Sequence, residues 1–306
     1  MISICLVTQN NEATLEDTLN SIALQTYSNF ECIIVDEFSS DNTLNIISDI
    51  CKKDARFKLY ANVCNVSEAY TDAHNKAYRL ASGKYLFRVN ADDVLLDNHV
   101  ECLVEYMNEH LDVDICSSSV VTASFDNGSW VKGEKPEYPE RRINLLRKYP
   151  IVYIQDTSWN CLPEMFNTAA SVIRKESFYK YNLNYCKNSE AYADNIFWRF
   201  AAAKGANFDY VDEVTVVCKG KHLPTHKIHK PIPYSDYYCA LANFMGYSLY
   251  LDKANEFTKE GYGNIVYSVE IYLNTIMYFM KILVDTNSWD NVESELKYIS
   301  PQSDKI

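Results

Sequence analysis

Apolar and polar positions switch between two periods along the first 121 residues. Residues 3–8 form a short apolar run. Residues 12–25 then carry Leu15, Leu19, Ile22 and Ala23 at helical spacing. The exchange repeats. Residues 31–36 hold Cys-Ile-Ile-Val in their middle, and residues 41–53 carry Leu44, Ile47, Ile50 and Cys51 at helical spacing. A third strand is predicted over 57–61, a third helix over 67–81 and a fourth strand over 84–89. Residues 98–109 place Val100, Leu103, Val104 and Met107 on one helix face, and residues 113–121 read as a fifth strand. Continuous apolar strands alternating with amphipathic helices predict a mostly parallel α/β sheet covered on both faces. Such sheets bind ligands beyond the carboxyl ends of their strands. Thr8-Gln9-Asn10, Asp36-Glu37 and Asn90-Ala91-Asp92-Asp93 all fall at such ends.

Residues 122–165 change character, with Gly, Pro and charge appearing together and a short basic helix predicted over 141–148. A strand at 169–173, helices at 175–181 and 191–204, and a strand at 208–218 follow. The segment 219–230 is basic and contains His222, His226 and His229. Two aromatic-rich helices are predicted over 234–253 and 264–283. The pattern divides the chain into 1–121, 122–230 and a helical extension, 231–306.

The net charge of −12 argues against a nucleic-acid binder, which needs a basic footprint. The ten cysteines lie singly, without CxxC spacing, so neither a zinc ribbon nor a redox pair is expected, and they read as reduced, cytosolic thiols. The chain opens directly on a strand with no signal-peptide pattern, and no run of 18 apolar residues would span a membrane. The first glycine is Gly83. A glycine-rich phosphate turn after the first strand is therefore missing, and a metal ion held by an acidic residue at a strand end is the natural substitute for neutralising a diphosphate.

At this point the motifs resemble those of family 2 glycosyltransferases with the GT-A fold. Val7-Thr8-Gln9-Asn10-Asn11-Glu12 stands for the family's opening after the first strand, and Ser21-Ile22-Ala23-Leu24-Gln25-Thr26-Tyr27 for "SIxxQTY". Ile33 to Thr43 resembles "IIVDDGSTDNT", with Glu37-Phe38 in place of Asp-Gly. Ala73-His74-Asn75-Lys76-Ala77 stands for "ARNxG", Ala81-Ser82-Gly83-Lys84-Tyr85 for "AxGxY", and Val89-Asn90-Ala91-Asp92-Asp93 for "LDSDD". The resemblance covers residues 1–121 and weakens beyond them.

The resemblance implies a GT-A, Rossmann-like sheet whose nucleotide-sugar-binding half is 1–121 and whose acceptor-binding half, in the same domain, is 122–230, with a C-terminal helical extension over 231–306. It also implies an inverting transfer of one hexosyl or N-acetylhexosaminyl unit from a nucleotide diphosphate sugar, usually a UDP-sugar, to an acceptor hydroxyl. Carried over residue by residue, Asp36 would hydrogen-bond the base. Thr8 and Asn10 would line the base and ribose, and Asn90 would touch the ribose. Glu12, Asn65 (or Asn62 in its place) and His74 would also face the donor, His74 standing where an Arg meets the pyrophosphate. Asp92 would hold Mn²⁺ or Mg²⁺. Asp93 is read as a further ligand, as a helix cap or as a support behind Asp92. His222 would complete the metal site or sit over the diphosphate, or else it lies in an exposed basic loop. Asp194, at the start of the helix carrying Trp198-Arg199, would be the general base, with Glu190 in reserve. The expected acceptor is a glycan or lipid-linked saccharide of bacterial surface polysaccharide. A cytoplasmic enzyme is implied, with at most peripheral contact with the inner face of the membrane and a homodimer through the C-terminal helices. Two other readings stand beside it: a GT-A domain that has lost turnover and serves as a binding subunit, suggested by Asn90, His74 and Ala193; and a nucleotidyltransferase, which the missing glycine-rich loop disfavours.

Overall fold

The computed structural model of the protein describes residues 1–61, 69–126, 129–155, 167–185 and 193–219, with the single positions 246, 249, 252, 253 and 256. Asn62, Asn65, Glu190, His222 and most of both predicted C-terminal helices lie outside the described residues.

Strand β1 (Ile2–Thr8) is followed by α1 (Leu15–Ala23), β2 (Phe30–Asp36), α2 (Thr43–Lys53), β3 (Phe57–Ala61), α3 (Ala69–Leu80) and β4 (Tyr85–Asn90). Next come β5 (Asp93–Leu95), α4 (His99–Glu109), β6 (Ile115–Asp126), β7 (Ser129–Lys132), α5 (Glu140–Lys148) and α6 (Pro150–Gln155). A 3-10 turn (Thr168–Ala170), β8 (Ser171–Arg174), α7 (Lys175–Lys180), α8 (Ala193–Ala203) and β9 (Phe208–Lys219) complete the described order. The pattern missed β5, β7 and α6. β5 and β7 are three and four residues long, too short to show a period. α6 opens on Pro150, whose fixed φ suits a helix's first turn but which reads as a breaker in sequence. α1 starts at Leu15, later than the pattern suggests, because the polar residues before it bond to the loop after β2.

The strands form one sheet in the order β3-β2-β1-β4-β8-β6-β9-β5, with β7 paired on β6. From β3 to β4 every pairing is parallel. β8 then runs antiparallel to both β4 and β6, so the second half makes the sheet mixed. Period-2 alternation decides which core each strand residue joins. Ile4, Leu6, Cys32 and Ile34 pack with α1, α2 and α4 on one face. Cys5, Ile33 and Val35 pack with α3 and α5–α8 on the other.

The strand order reverses at β1, which lies between β2 and β4. Register aligns Thr8 with Asp36, and Val7 with Asn90. The predicted site residues of three strands therefore share one edge, at the switch point where open α/β sheets bind ligands.

Candidate active site

The loops after β1 and β2 are held together by polar side chains. Thr8 is buried, and its Oγ1 donates to Asn11 Oδ1 at 2.9 Å. Asn10 is exposed, and its Oδ1 accepts the Ser40 backbone N–H at 2.8 Å. The exposed Glu12 accepts the Asn42 N–H at 2.8 Å through Oε2. Asp36 is buried, and its carboxylate accepts the Ser39 N–H at 3.1 Å and the Ser39 hydroxyl at 2.5 Å. A carboxylate has about four acceptor positions, so two remain for a ligand. These residues thus build the two loops as well as lining their edge.

At the end of β4 the two carboxylates separate in kind. Asp92 is exposed. Asp93 is buried at 3% exposure and opens β5 opposite Cys218 of β9. It accepts the Asn90 Nδ2 amide at 2.8 Å and the Cys218 thiol. Burial, followed by the negative charge of Asp92, pushes its carboxyl up to about 6, against the pull of the thiol, the amide and Arg88. Asp93 therefore does not cap a helix: α4 starts after Asn98, not after Asp93. Its place is beneath Asp92, where it locks Asn90.

Arg88 lies in the middle of β4 and is almost wholly buried. Its Nη1 donates to the Asp194 carboxylate and to the Tyr185 hydroxyl, and its Nη2 reaches Asn90 Oδ1 at 3.5 Å. Asp194 sits in the first turn of α8 with its side chain 31% exposed. A continuous polar chain thus runs from Asp194 through Arg88 and Asn90 to Asp93. Tyr185 is held in turn by Asn75, whose amide exchanges two hydrogen bonds with the Tyr185 backbone at 2.9 and 2.7 Å. His74 is 6% exposed and packs its ring against Tyr185, 5.0 Å between centroids. Sequence reasoning missed Arg88 and Tyr185. The signal for Arg88 was present: an arginine inside an apolar strand must find an anion when buried.

Among the described residues, no group of three or more His, Cys, Asp or Glu side chains could hold a metal. The exposed carboxylate of Asp92 nonetheless suits a magnesium-like ion, which takes one or two carboxylates together with substrate phosphates and retained waters.

The model of the family described as "Glycosyl transferase family 2" matches residues 3–168, more than half of the chain. The chain belongs to glycosyl transferase family 2. Over 298 residues it is 26% identical to the uncharacterized glycosyltransferase MJ1057 of Methanocaldococcus jannaschii, covering 93% of each chain. Over 107 residues it is 31% identical to the UDP-Glc:alpha-D-GlcNAc-diphosphoundecaprenol beta-1,3-glucosyltransferase WfgD of Escherichia coli, covering 35% of this chain and 41% of that one. The chain spans 17–42% of the length of the curated relatives that it matches over 107–113 residues. Among solved structures, Staphylococcus aureus TarS 1–349 in complex with UDP-GlcNAc superposes with a TM-score of 0.62 at 16% identity, over 91% of this chain and 80% of that one. Family membership and this likeness agree with the GT-A sheet described above.

Proposed function

We propose that the protein transfers one sugar from a UDP-sugar to an acceptor hydroxyl, with inversion at the anomeric carbon. The observation that carries this reading is the polar chain from Asp194 to Asp93. It brings a carboxylate of the second half beside the strand end that bears Asp92. A donor diphosphate at Asp92 and an acceptor hydroxyl at Asp194 would then meet in one cleft. In this reading Asp36 accepts a hydrogen bond from the base, and Thr8, Asn10 and Asn90 border the base and ribose. Asp93 keeps Asn90 and the Asp92 backbone in place. Asp194 takes the proton of the attacking hydroxyl, as a general base does. Arg88 orients that carboxylate. One displacement with one base inverts configuration through an oxocarbenium-like transition state. Asp92 would hold Mn²⁺ or Mg²⁺, which when bound supplies charge stabilisation for the departing diphosphate.

The TarS complex with UDP-GlcNAc supports a UDP donor, and the diphosphoundecaprenol acceptor in WfgD's name supports a lipid-linked saccharide acceptor. No helix of the described residues is long and apolar enough to cross a membrane. A lipid-linked acceptor would then be met from the membrane's inner face.

The test is a donor panel with Mn²⁺. Wild-type protein is expected to release UDP from a UDP-sugar. Asp92→Asn is expected to lose both transfer and metal-dependent UDP binding while keeping its melting temperature. Undiminished activity in excess chelator, with no metal carried through purification, would remove the metal from the scheme. A fold that binds UDP yet releases none with any donor or acceptor would favour the non-catalytic reading.

A further inference from the structure

The loop after β2 carries a residue that the fold alone does not account for. Phe38 has φ of +55°, in the left-handed region. There the Cβ crowds the following carbonyl, and a bulky residue is an outlier. Glycine would hold the same backbone without that cost. The ring does not offset the strain by packing. Phe38 is 40% exposed. It belongs to neither apolar core, and no ring or cation contact reaches it from the described residues.

The backbone on either side is nevertheless pinned. The Glu37 N–H donates to the Thr8 carbonyl at 2.9 Å, and Gln9 Nε2 donates to the Glu37 carbonyl at 2.8 Å. Ser39 is tied to the buried Asp36 carboxylate through its N–H and hydroxyl, and its Oγ accepts the Asn10 N–H at 2.9 Å. A strained residue persists where its surroundings over-determine it, and such residues gather at ligand clamps. Here the surroundings hold a part-exposed aromatic ring two residues from Asp36, at the strand edge beside the switch point.

We infer that Phe38 is the aromatic platform on which the donor's nucleobase stacks. The inference rests on the nucleotide-sugar reading above and adds a residue to it. The two neighbours would divide the work. Stacking on a ring contributes affinity with little regard for which base is bound, because every base has a π face. The Asp36 carboxylate then selects the base by its hydrogen-bonding edge. Gln9, on the loop opposite, carries no aromatic ring.

Calorimetric titration of the full chain with UDP, and separately with inorganic pyrophosphate, both with Mn²⁺, tests the inference in wild type, Phe38→Ala, Phe38→Gly and Phe38→Trp. Phe38→Ala and Phe38→Gly are expected to weaken UDP roughly fivefold to a hundredfold, the range for losing one base–aromatic stack. Both should leave pyrophosphate within about twofold, and Phe38→Trp should keep UDP affinity. Ligand-free Phe38→Gly should melt no lower than wild type, because the left-handed backbone suits glycine. UDP affinity unchanged in Phe38→Ala, or an equal loss for pyrophosphate, overturns the platform while leaving the nucleotide-sugar reading intact. A melting temperature several degrees lower in Phe38→Gly also overturns it, since the ring would then be a packing group. Wild-type protein that binds none of UDP, GDP or ADP sinks the nucleotide-sugar reading, and the platform with it.

Discussion

Arg88 shows how one side chain can organise a site. A guanidinium cannot shed its charge, so burying it demands acceptors. The structure supplies them from two distant places, Asp194 of α8 and the Tyr185 hydroxyl, with the neighbouring Asn90 at the limit of reach. Pairing with Arg88 leaves Asp194 partly exposed, with its face toward solvent open to an acceptor. In the proposed reaction Asp194→Asn keeps the shape and loses the base. The expected result is a fall in kcat of about 10²–10⁴-fold with UDP affinity within about twofold. Steady-state kinetics beside calorimetry check it, and the product's anomeric configuration should be inverted by NMR. The melting temperature should also fall, because the buried Arg88 loses its anion. Near-wild-type turnover would move the base role elsewhere, with Glu190 the next residue to test.

At the scale of elements, the β1–β2–β4 layer is tied at the end opposite the site. Glu31 of β2 is buried, and its carboxylate accepts Ser3 Oγ, the Ser82 N–H and hydroxyl, and Lys58 Nζ. Gly83 lies directly over β1, and its N–H donates to Ser3 Oγ at 2.8 Å. A Cβ there would come within 2.4 Å of the Ile2 carbonyl carbon and the Ser3 nitrogen. The contacting atoms are backbone and cannot swing aside. Gly83→Ala is therefore expected to destabilise the protein by about 1–3 kcal/mol, the scale of overpacking. A lower urea midpoint with an unchanged slope would show it. The glycine of this motif thus serves the approach of α3 to β1, not a phosphate.

For the molecule as a whole, acid stability reports a buried imidazole. His99 of α4 is fully buried, with Nδ1 2.8 Å from Thr215 Oγ1 of β9. Burial pushes its pKa from 6.5 down to about 3. Between those values the unfolded chain binds a proton that the folded protein refuses, so stability falls as pH drops through this window. Asp93 acts oppositely. With its carboxyl raised from 3.8 to about 6, the folded state takes up the extra proton and gains as pH falls. Glu31 enters lower. Burial alone would raise its carboxyl, but the bonds from Lys58, Ser82 and Ser3 win and hold it at about 2, so its contribution is lost only below 4.5. The wild-type curve should therefore be shallow between pH 6 and 4.5. Comparison with His99→Gln isolates the imidazole: relative to wild type, the variant should gain about 2 kcal/mol between pH 7 and 5. Parallel urea curves in the two proteins would rule out a buried neutral His99.

The sequence by itself determined the elements from β1 to β6 other than β5, the strand-end positions of Asp36 and Asp92, and the family resemblance. All three are local: a period of two or of 3.6, or a fixed order of short motifs, is visible in a window of a few residues. Only the tertiary structure decided the rest. Asp194 meets Arg88 across 106 residues of chain, a partnership no local pattern encodes. β8 enters antiparallel between β4 and β6, and β5 closes on β9, because strand partners are chosen by packing of the whole sheet. Asp92 and Asp93 look alike in sequence, yet one is exposed and the other is buried against Cys218. Phe38 departs from the motif's glycine in sequence, but its left-handed backbone and missing core contacts belong to the folded chain. Burial and pairing belong to the assembled chain, since the free-energy difference between a buried and an exposed carboxylate depends on what other segments bring beside it.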